Sequence, residues 1–223
     1  MQELSRWLPN LMRRLPEFWK ACGDTLLMEV WSGAIIFVFG LVFGIILTVT
    51  KPGGIMENRP VYQVLDKIIN LFRSIPFIIL LTALMPLSRA IMGTAIYVRG
   101  VIVPLVFGAT PFFSRQVESA LAQTDKGLVE AALSMGSSPF EVIFRVYLRE
   151  SLAPIIRAIT IISLLGLTAM AGAVGAGGLG DFAIRYGHDR NMQDITWVVV
   201  GVLVAGVSVV QWLGEYFARK NTH

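Results

Sequence analysis

Three stretches of this chain carry no charged side chain over a length that can cross a lipid bilayer. They are Trp31 to Thr50, Ala158 to Gly180 and Ile195 to Gly214. A helix needs roughly 20 consecutive apolar residues to span the hydrocarbon core. Apolar residues make up 55% of the chain and charged residues only 15%, a balance that excludes disorder and disfavours a soluble domain. The sequence therefore predicts a helical membrane protein.

Two shorter uncharged stretches, Ser74 to Ser88 and Gly100 to Ser114, each contain two prolines. Membrane helices tolerate proline where neighbouring helices satisfy the freed carbonyl groups, so these stretches predict inner, kinked helices. The predicted fold is all-α and polytopic, with five transmembrane helices. The approximate bounds of the spans are 26–50, 74–94, 98–117, 154–177 and 195–217, with a charged loop at 118–153 and an amphipathic N-terminal segment at 1–21.

An odd number of spans places the two termini on opposite sides of the membrane. With the N-terminus outside, 11 of the 19 Lys and Arg residues face the cytoplasm, the direction that the positive-inside rule favours. This predicts a multi-pass protein of the cytoplasmic membrane, surrounded by lipid, with a cytoplasmic C-terminus. The net charge of +4 then reflects topology and gives no indication of a nucleic-acid partner.

The segment from Arg115 to Arg157 carries ten charged residues and cannot lie in hydrocarbon, yet its pattern is that of a structured loop. Gly136 is expected to end one short helix with a positive φ. Ser138 as N-cap, Pro139 at the first helical position and Glu141 three residues after the cap form a capping box that opens a second helix. A loop with this much capping predicts a docking element.

Two further segments have the pattern of amphipathic helices. In residues 1–24 apolar and basic residues recur near helical spacing, which favours a helix in the membrane interface, with a partly ordered tail as the alternative. An apolar stripe from Val61 to Phe72 predicts a helix on the cytoplasmic surface. Within the first span, Gly40 and Gly44 have the spacing that lets two helices pack closely.

The segment from Gly175 to Gly180 fits the dinucleotide-binding pattern GxGxxG, but its context does not. That pattern requires a preceding strand and an acidic residue about 20 positions later, whereas here an uncharged membrane helix precedes it. The glycines are instead expected to unwind the outer end of the fourth span. No phosphate-binding GxxxxGK[ST] motif is present, so any ATP that drives this protein must be bound by another chain.

Groups suited to catalysis or metal binding are scarce. Cys22 is the only cysteine, and the two histidines, His188 and His223, are too few for a metal site. The chain is therefore expected to hold no cofactor or metal and not to be an enzyme. A membrane-embedded enzyme is the alternative of a different class. A pore-forming channel subunit is another alternative, but it does not explain the capped loop.

Met170 lies among small residues, in the run from Leu167 to Gly172. The small neighbours leave room for its flexible thioether. Two interpretations stay open: Met170 projects into a central path as a gate, or it packs against a neighbouring helix or lipid.

The run Glu130-Ala131-Ala132, followed after three residues by Gly136, resembles the cytoplasmic motif of permease subunits of bacterial ABC importers of the type I fold. In that motif an Ile-x-Leu-Pro sequence follows, where this chain has Val146, Leu148 and Arg149, so the final proline is missing. Two other stretches are similar to the methionine-importer permeases. They are Phe72 to Leu81, and Ala171 to Gly180 followed by Ile184 to Gly187 and Arg190.

The resemblance covers about residues 22–217. It implies a homodimeric, channel-forming permease for methionine in the inner membrane of a bacterium, with a permease for another small amino acid as the alternative. The implied partners are ABC ATPase subunits, which bind ATP and Mg²⁺, and an extracytoplasmic methionine-binding lipoprotein. The implied ATPase-coupling residues are Glu130, Ala131, Ala132, Met135, Gly136, Ser138 and Pro139. The implied loop facing the binding protein includes Gly177, Gly178, Gly180, Arg185 and Tyr186.

Overall fold

The computed structural model describes residues 7–161 and 164–220, and within these ranges the regular structure is helical, with no strand. The α-helices are interrupted by two π-helical segments, which are named π1 and π2. In chain order the elements are α1 (Pro9–Arg13), α2 (Leu15–Thr50), α3 (Arg59–Ser74), α4 (Phe77–Ala83), α5 (Met85–Met92), α6 (Tyr97–Leu121), α7 (Lys126–Ser134), α8 (Pro139–Val142), π1 (Ile143–Tyr147), α9 (Leu148–Glu150), α10 (Leu152–Ile161), α11 (Leu164–Gly172), α12 (Gly178–Phe182), π2 (Ala183–His188) and α13 (Gln193–Lys220).

Among the described residues, three helices are long and apolar enough to cross a membrane: α2, α6 and α13. They correspond to the first, third and fifth predicted spans. Helix α6 is continuous over 25 residues although it contains Pro104 and Pro111. Helix α2 has 36 residues, or about 54 Å at 1.5 Å per residue. It therefore exceeds the roughly 30 Å hydrocarbon core and must tilt or extend beyond it.

The second predicted span is described as two shorter helices. Helices α4 and α5 meet at Leu84, and Pro86 lies in the first turn of α5, where its missing N–H breaks the hydrogen-bond ladder. In the fourth predicted span, helix is described on both sides of residues 162 and 163, as α10 and α11, and α11 ends at Gly172. The predicted unwinding of the glycine-rich stretch is confirmed. The count of five spans stays a prediction.

The predicted N-terminal segment is helical where the structure describes it, and residues 1–6 lie outside the described residues. Helix α2 begins at Leu15 and runs through residues 21 and 22 without interruption. The predicted amphipathic helix is confirmed as α3. Its N-cap is Asn58, whose side chain accepts a hydrogen bond from the Val61 N–H at 3.2 Å.

The described residues form two compact units. The first contains residues 7–34, 76–108 and 164–209. In it, α1 is fixed by Asp194, whose carboxylate accepts hydrogen bonds from the backbone N–H of Asn10 at 3.0 Å and from its side-chain amide at 2.9 Å. One apolar cluster of this unit comprises Leu11, Phe18, Ala21, Leu179, Phe182, Tyr186, Ile195 and Val199. A second comprises Met28, Leu81, Val101, Leu105, Ala171 and Ala176.

The second unit contains residues 35–75, 109–161 and 210–220. In it, α2 and α6 approach each other closely at Gly44, because a Cβ atom added there would lie 2.6 Å from the Cβ of Val117. A Cβ on Gly40 would likewise collide with the ring of Phe113. The close helix packing predicted from the Gly40 and Gly44 spacing is confirmed. This unit also holds the charged loop that the sequence singled out.

Candidate functional site

The first short helix of the charged loop, α7, is capped at both ends. Asp125 is its N-cap and accepts a hydrogen bond from the Gly127 N–H at 2.8 Å. At the other end Gly136 has a φ of +84°, and its N–H donates to the carbonyl of Leu133 at 3.0 Å. The Ser137 N–H donates to the carbonyl of Ala132 at 3.1 Å. This pair of bonds is the Schellman motif, so the predicted role of Gly136 is confirmed.

The second short helix opens with the predicted capping box. The Ser138 hydroxyl accepts a hydrogen bond from the Glu141 N–H at 3.3 Å, and the Glu141 carboxylate accepts one from the Ser138 N–H at 2.9 Å. Pro139 is in the first turn. The hydrogen bonds from the backbone and hydroxyl of Ser138, together with the nearby Arg145, lower the pKa of Glu141 below its usual value. The prediction of a structured loop is confirmed.

The second short helix continues past the proline position of the type I motif. The motif's proline position is occupied by Arg149, which lies within α9, and the helix is interrupted at Ser151. The Ser151 hydroxyl donates a hydrogen bond to the Ala120 carbonyl at 3.1 Å and lies 3.0 Å from the Thr124 hydroxyl. Ser151 therefore joins the end of the loop to its beginning.

The inner sides of the two short helices pack on each other. Val129 and Ala132 of α7 are buried against Val142 of α8, with Val146 and Tyr147 packed at the edge. Burial raises the pKa of the Tyr147 hydroxyl. Ala132 therefore faces the inside of this subunit, whereas the resemblance implied that it is one of the residues that couple to the ATPase. The packing makes the two helices a single element.

The outer side of the same element is apolar and exposed. Glu130, Ala131, Gly136 and Ser138 are exposed, and the side chain of Met135 is 80% exposed. Two large side chains that the sequence reasoning did not select, Phe140 at 63% and Phe144 at 66%, are also exposed. Their spacing of four residues was the signal, since residues i and i+4 share a helix face. We call the surface formed by Glu130, Ala131, Met135, Gly136, Ser138, Phe140 and Phe144 the outer loop face.

A cleft of about 450 Å³ lies beside α7. Glu130 and Tyr147 contribute to its lining, and so does the turn that follows α2. The lining residues are Lys51, Pro52, Gly53, Gly54, Ile55, Leu121, Ala122, Thr124, Lys126, Val129, Glu130, Leu133 and Tyr147. The candidate coupling element thus consists of a rigid helix pair with an apolar outer face and an adjoining cleft.

An arginine on α6, the helix that precedes the charged loop, connects α6 to α3. The Arg115 guanidinium forms ion pairs with Asp66 and, at 2.7 Å, with Glu118, and it donates a hydrogen bond to Asn70 at 3.1 Å. Asp66 and Asn70 lie on the polar side of α3, opposite the apolar stripe. Arg115 was not selected from the sequence as a partner of this helix.

The glycine-rich stretch of the other unit forms a tight turn. Gly175, Gly177 and Gly178 have positive φ angles. Gly172 and Gly180 bring two backbone segments together so closely that a Cβ atom on either would overlap the opposing chain. No strand precedes this turn within the described residues, and α11 leads into it, as expected from the rejection of the dinucleotide-binding interpretation.

Of the five residues implied to face a binding protein, three are buried. Gly178 and Gly180 are buried in the turn, and Tyr186 is buried under arginines, with the guanidinium carbons of Arg14 and Arg190 at 4.1 Å and 5.0 Å from its ring centroid. Arg185 is exposed and Gly177 is partly exposed. The buried residues shape the loop, and only Arg185 and Gly177 are placed to meet a partner directly.

Met170 lies on α11, and its side chain is 45% exposed. Gly166, one turn before it, and Ala173, just beyond the helix, are exposed as well. Met170 is thus not enclosed within its own subunit. This surface of α11 is available to lipid or to a second copy of the chain.

Residues 40–223 match the model of a family described as the binding-protein-dependent transport system inner membrane component. The matched region is well over half of the chain. The chain belongs to this family. Members of the binding-protein-dependent transport family are inner membrane components of transport systems, so this protein is a transport component and not an enzyme in its own right. The family resemblance carried by the Glu130 to Gly136 motif is confirmed.

Individual relatives match nearly the whole length of this family member. A probable D-methionine transport system permease of Vibrio cholerae is 43% identical over 205 residues, which cover 91% of each chain. A methionine import system permease of Bacillus subtilis is 38% identical over 212 residues, covering 94% of this chain and 95% of its own. Both alignments are long enough to include the capped loop and the glycine-rich turn.

A solved structure of similar sequence has the same fold. A chain of the MetNI methionine ABC transporter, solved in inward-facing conformations, superposes with a TM-score of 0.89 at 41% identity, covering 94% of this chain and 98% of its own. The all-α, type I importer permease fold predicted from the sequence is therefore confirmed. A chain of an amino acid ABC transporter that is 16% identical, with a TM-score of 0.76, shares the fold alone.

Proposed function

We propose that this chain is the channel-forming permease subunit of an ATP-driven importer that moves methionine across the inner membrane. The observation that carries the proposal is the similarity, over more than 90% of the chain, to permeases named for methionine transport. The similarity extends through both the capped loop and the glycine-rich turn, which are the two regions expected to meet partners.

The outer loop face is the proposed docking surface for a separate ABC ATPase, which binds ATP and Mg²⁺. Its large exposed apolar residues, Met135, Phe140 and Phe144, have no cover within the described residues of their own unit. Exposed apolar patches of this kind mark protein-interaction sites. Glu130 adds a charge at the edge of the face, which calls for a polar or basic group on the ATPase.

Two further partners complete the proposed assembly. A second copy of this chain is expected to cover the exposed α11 surface around Met170, which makes the permease a homodimer. An extracytoplasmic methionine-binding lipoprotein is expected to meet the loop that contains Gly177 and Arg185. That protein supplies substrate specificity, so the permease itself needs only weak affinity for methionine.

The proposed mechanism uses the rigidity of the loop. When ATP closes the two ATPase subunits, the docked helix pair moves as one element, because Val129 and Ala132 are packed on Val142. The chain enters this element from α6 and leaves it into α10, so the movement reaches membrane helices directly. Coupling requires that the ATPase contacts differ between the two states of the permease, because equal contacts shift no equilibrium.

Uptake of labelled methionine into vesicles tests the proposal. Vesicles that contain the permease, its ATPase and the delivery protein should accumulate methionine only when ATP is supplied, and the permease without the ATPase should not. An excess of another small amino acid serves as the competitor of methionine uptake. The proposed substrate would be contradicted if the vesicles accumulated that other amino acid and methionine did not reduce its accumulation. Methionine flux that is independent of ATP would favour a channel.

The proposed topology gives a separate prediction. A reporter fused after His223 should be located in the cytoplasm. A reporter inserted between Asp181 and Asn191 should be located on the outer side of the membrane. This follows from five spans with the positive-inside bias described above. A cytoplasmic signal from the second reporter would place the glycine-rich turn on the same side as the ATPase and contradict its role in meeting the delivery protein.

A further inference from the structure

Glu29 is an acidic residue near the start of the apolar part of α2, and its side chain is partly buried. Ionisable side chains at membrane depth are costly and are retained where they have a function. The partner of Glu29 is Thr168 on α11, whose hydroxyl donates a hydrogen bond to the carboxylate at 3.2 Å. Residues 29 and 168 thus form a polar contact between two apolar helices.

Thr168 and Met170 lie on nearly opposite sides of α11, because two residues turn an α-helix by about 200°. Their burial agrees with this, since Thr168 is only 1% exposed whereas Met170 is 45% exposed. A role for Glu29 in contacting substrate that passes along the Met170 surface does not fit this arrangement. Glu29 instead contacts α11 on the side opposite Met170, where it can hold this helix in position.

Two neighbours of Glu29 on the same side of α2 contact the segment that follows Thr168. Met28 is fully buried in a cluster with Ala171 and Ala176. The Thr25 hydroxyl accepts a hydrogen bond from the Leu179 N–H at 2.8 Å. Residues at i, i+3 and i+4 share a helix face, so Thr25, Met28 and Glu29 form one surface that contacts α11, the glycine-rich turn and the start of α12.

We propose that Glu29 is a positioning residue that fixes the Met170 helix through Thr168 and so keeps transport coupled to ATP hydrolysis. The inference rests on the proposed function. It assigns a role in that function to Glu29, which lies outside the sequence motifs described above. Thr168 also donates to the Leu165 carbonyl at 3.1 Å. Its hydroxyl therefore keeps a partner when Glu29 is replaced, and Glu29→Leu removes only the contact between the helices.

The test measures ATP hydrolysis by the assembled transporter in vesicles without methionine. Glu29→Leu and Thr168→Val should each raise this basal hydrolysis by about threefold, and by at most about 20-fold, the range expected from one side-chain hydrogen bond between membrane helices. Thr168→Val should have the larger effect, because it leaves the carboxylate without its donor. The double variant should be no worse than Thr168→Val alone, since both changes break one interaction.

The controls separate positioning from a general loss of structure. Glu29→Gln keeps a hydrogen-bond acceptor and should restore near-normal coupling. Ser32→Ala removes a hydroxyl of α2 that donates within its own helix, to the Met28 carbonyl, and should leave basal hydrolysis unchanged. Assembly with the ATPase, measured by co-purification, should be equal in all variants. Thr168→Val is close in shape to the native residue and remains informative if Glu29→Leu fails to assemble.

Three outcomes would overturn the inference: normal basal hydrolysis in Thr168→Val, effects of the two single variants that multiply in the double variant, or a Glu29→Gln protein as uncoupled as Glu29→Leu. None of these measurements uses the identity of the substrate. If the native transporter has low basal ATP hydrolysis but takes up no methionine, the proposed function is contradicted and the inference about Glu29 is not.

Discussion

A Gly136→Val permease is expected to insert into the membrane and yet lose most ATP-driven transport. Gly136 has a φ of +84°, where a β-branched residue is strained by about 1–3 kcal/mol. That cost changes the population of the native turn by about 5- to 150-fold. Within the subunit there is open space around this position, so the loss comes from backbone strain and from contact with the docked ATPase. Uptake and ATPase co-purification measure it.

Two variants control this experiment. Gly93 ends α5 with a φ of +75° and also has open space around it, so Gly93→Val imposes comparable strain away from the outer loop face and should preserve coupling. Gly136→Asn should recover much of the transport, because asparagine tolerates the left-handed conformation best after glycine. If Gly136→Val binds the ATPase and transports as well as the native chain, the coupling role of the loop is wrong.

The loop illustrates what a sequence can establish. Gly136, Ser138 and Glu141 act through hydrogen bonds to residues at most five positions away, and Pro139 acts through its fixed φ. Such local patterns can be recognised in the chain itself. The same holds for the Asn58 cap and the apolar stripe of α3. Asp125 follows the same rule and could have been selected as the N-cap of α7, since it directly precedes a helical pattern.

The contacts that were missed join residues distant in sequence. Arg115 binds Asp66, 49 positions away, and Ser151 binds Ala120, 31 positions away. Only the packing of the helices brings these pairs together. The burial of Ala132 has the same origin, because the sequence shows a small residue on a helix but not which side faces Val142. Apolar patterns and capping therefore predicted the elements, and tertiary packing decided which of their faces remain free.

The glycine-rich region also shows the difference between features that local sequence predicts and features that depend on tertiary packing. The sequence correctly predicted irregular backbone there, because so many glycines destabilise a helix. It did not predict that Gly178 and Gly180 are buried or that Tyr186 lies under Arg14, which comes from a segment more than 170 positions earlier. A residue that matches a family motif can thus shape a surface without being part of it.

Met170 is expected to meet its counterpart in the second subunit and to close the path in the resting state. It is exposed in the single chain, and an apolar constriction excludes water only while its side chains reach each other. Met170→Ala should therefore raise methionine leak or uncoupled ATP hydrolysis and leave assembly intact. The matched change at a buried neighbour, Ala171→Val, should instead reduce assembly, because Ala171 is fully buried in a close-packed core.

A disulfide between subunits provides the direct test of this gate. In a Cys22→Ser background, Met170→Cys should form a cross-linked dimer under mild oxidation in the resting state, because a disulfide requires Cα atoms within about 7 Å of each other. The cross-link should weaken when ATP and the delivery protein are added, since the helices then separate. Ala171→Cys in the same background is the negative control, as its side chain is enclosed within its own subunit. If Met170→Cys gives no dimer in any state, then lipid covers this side of α11, and the gate must be formed by other residues.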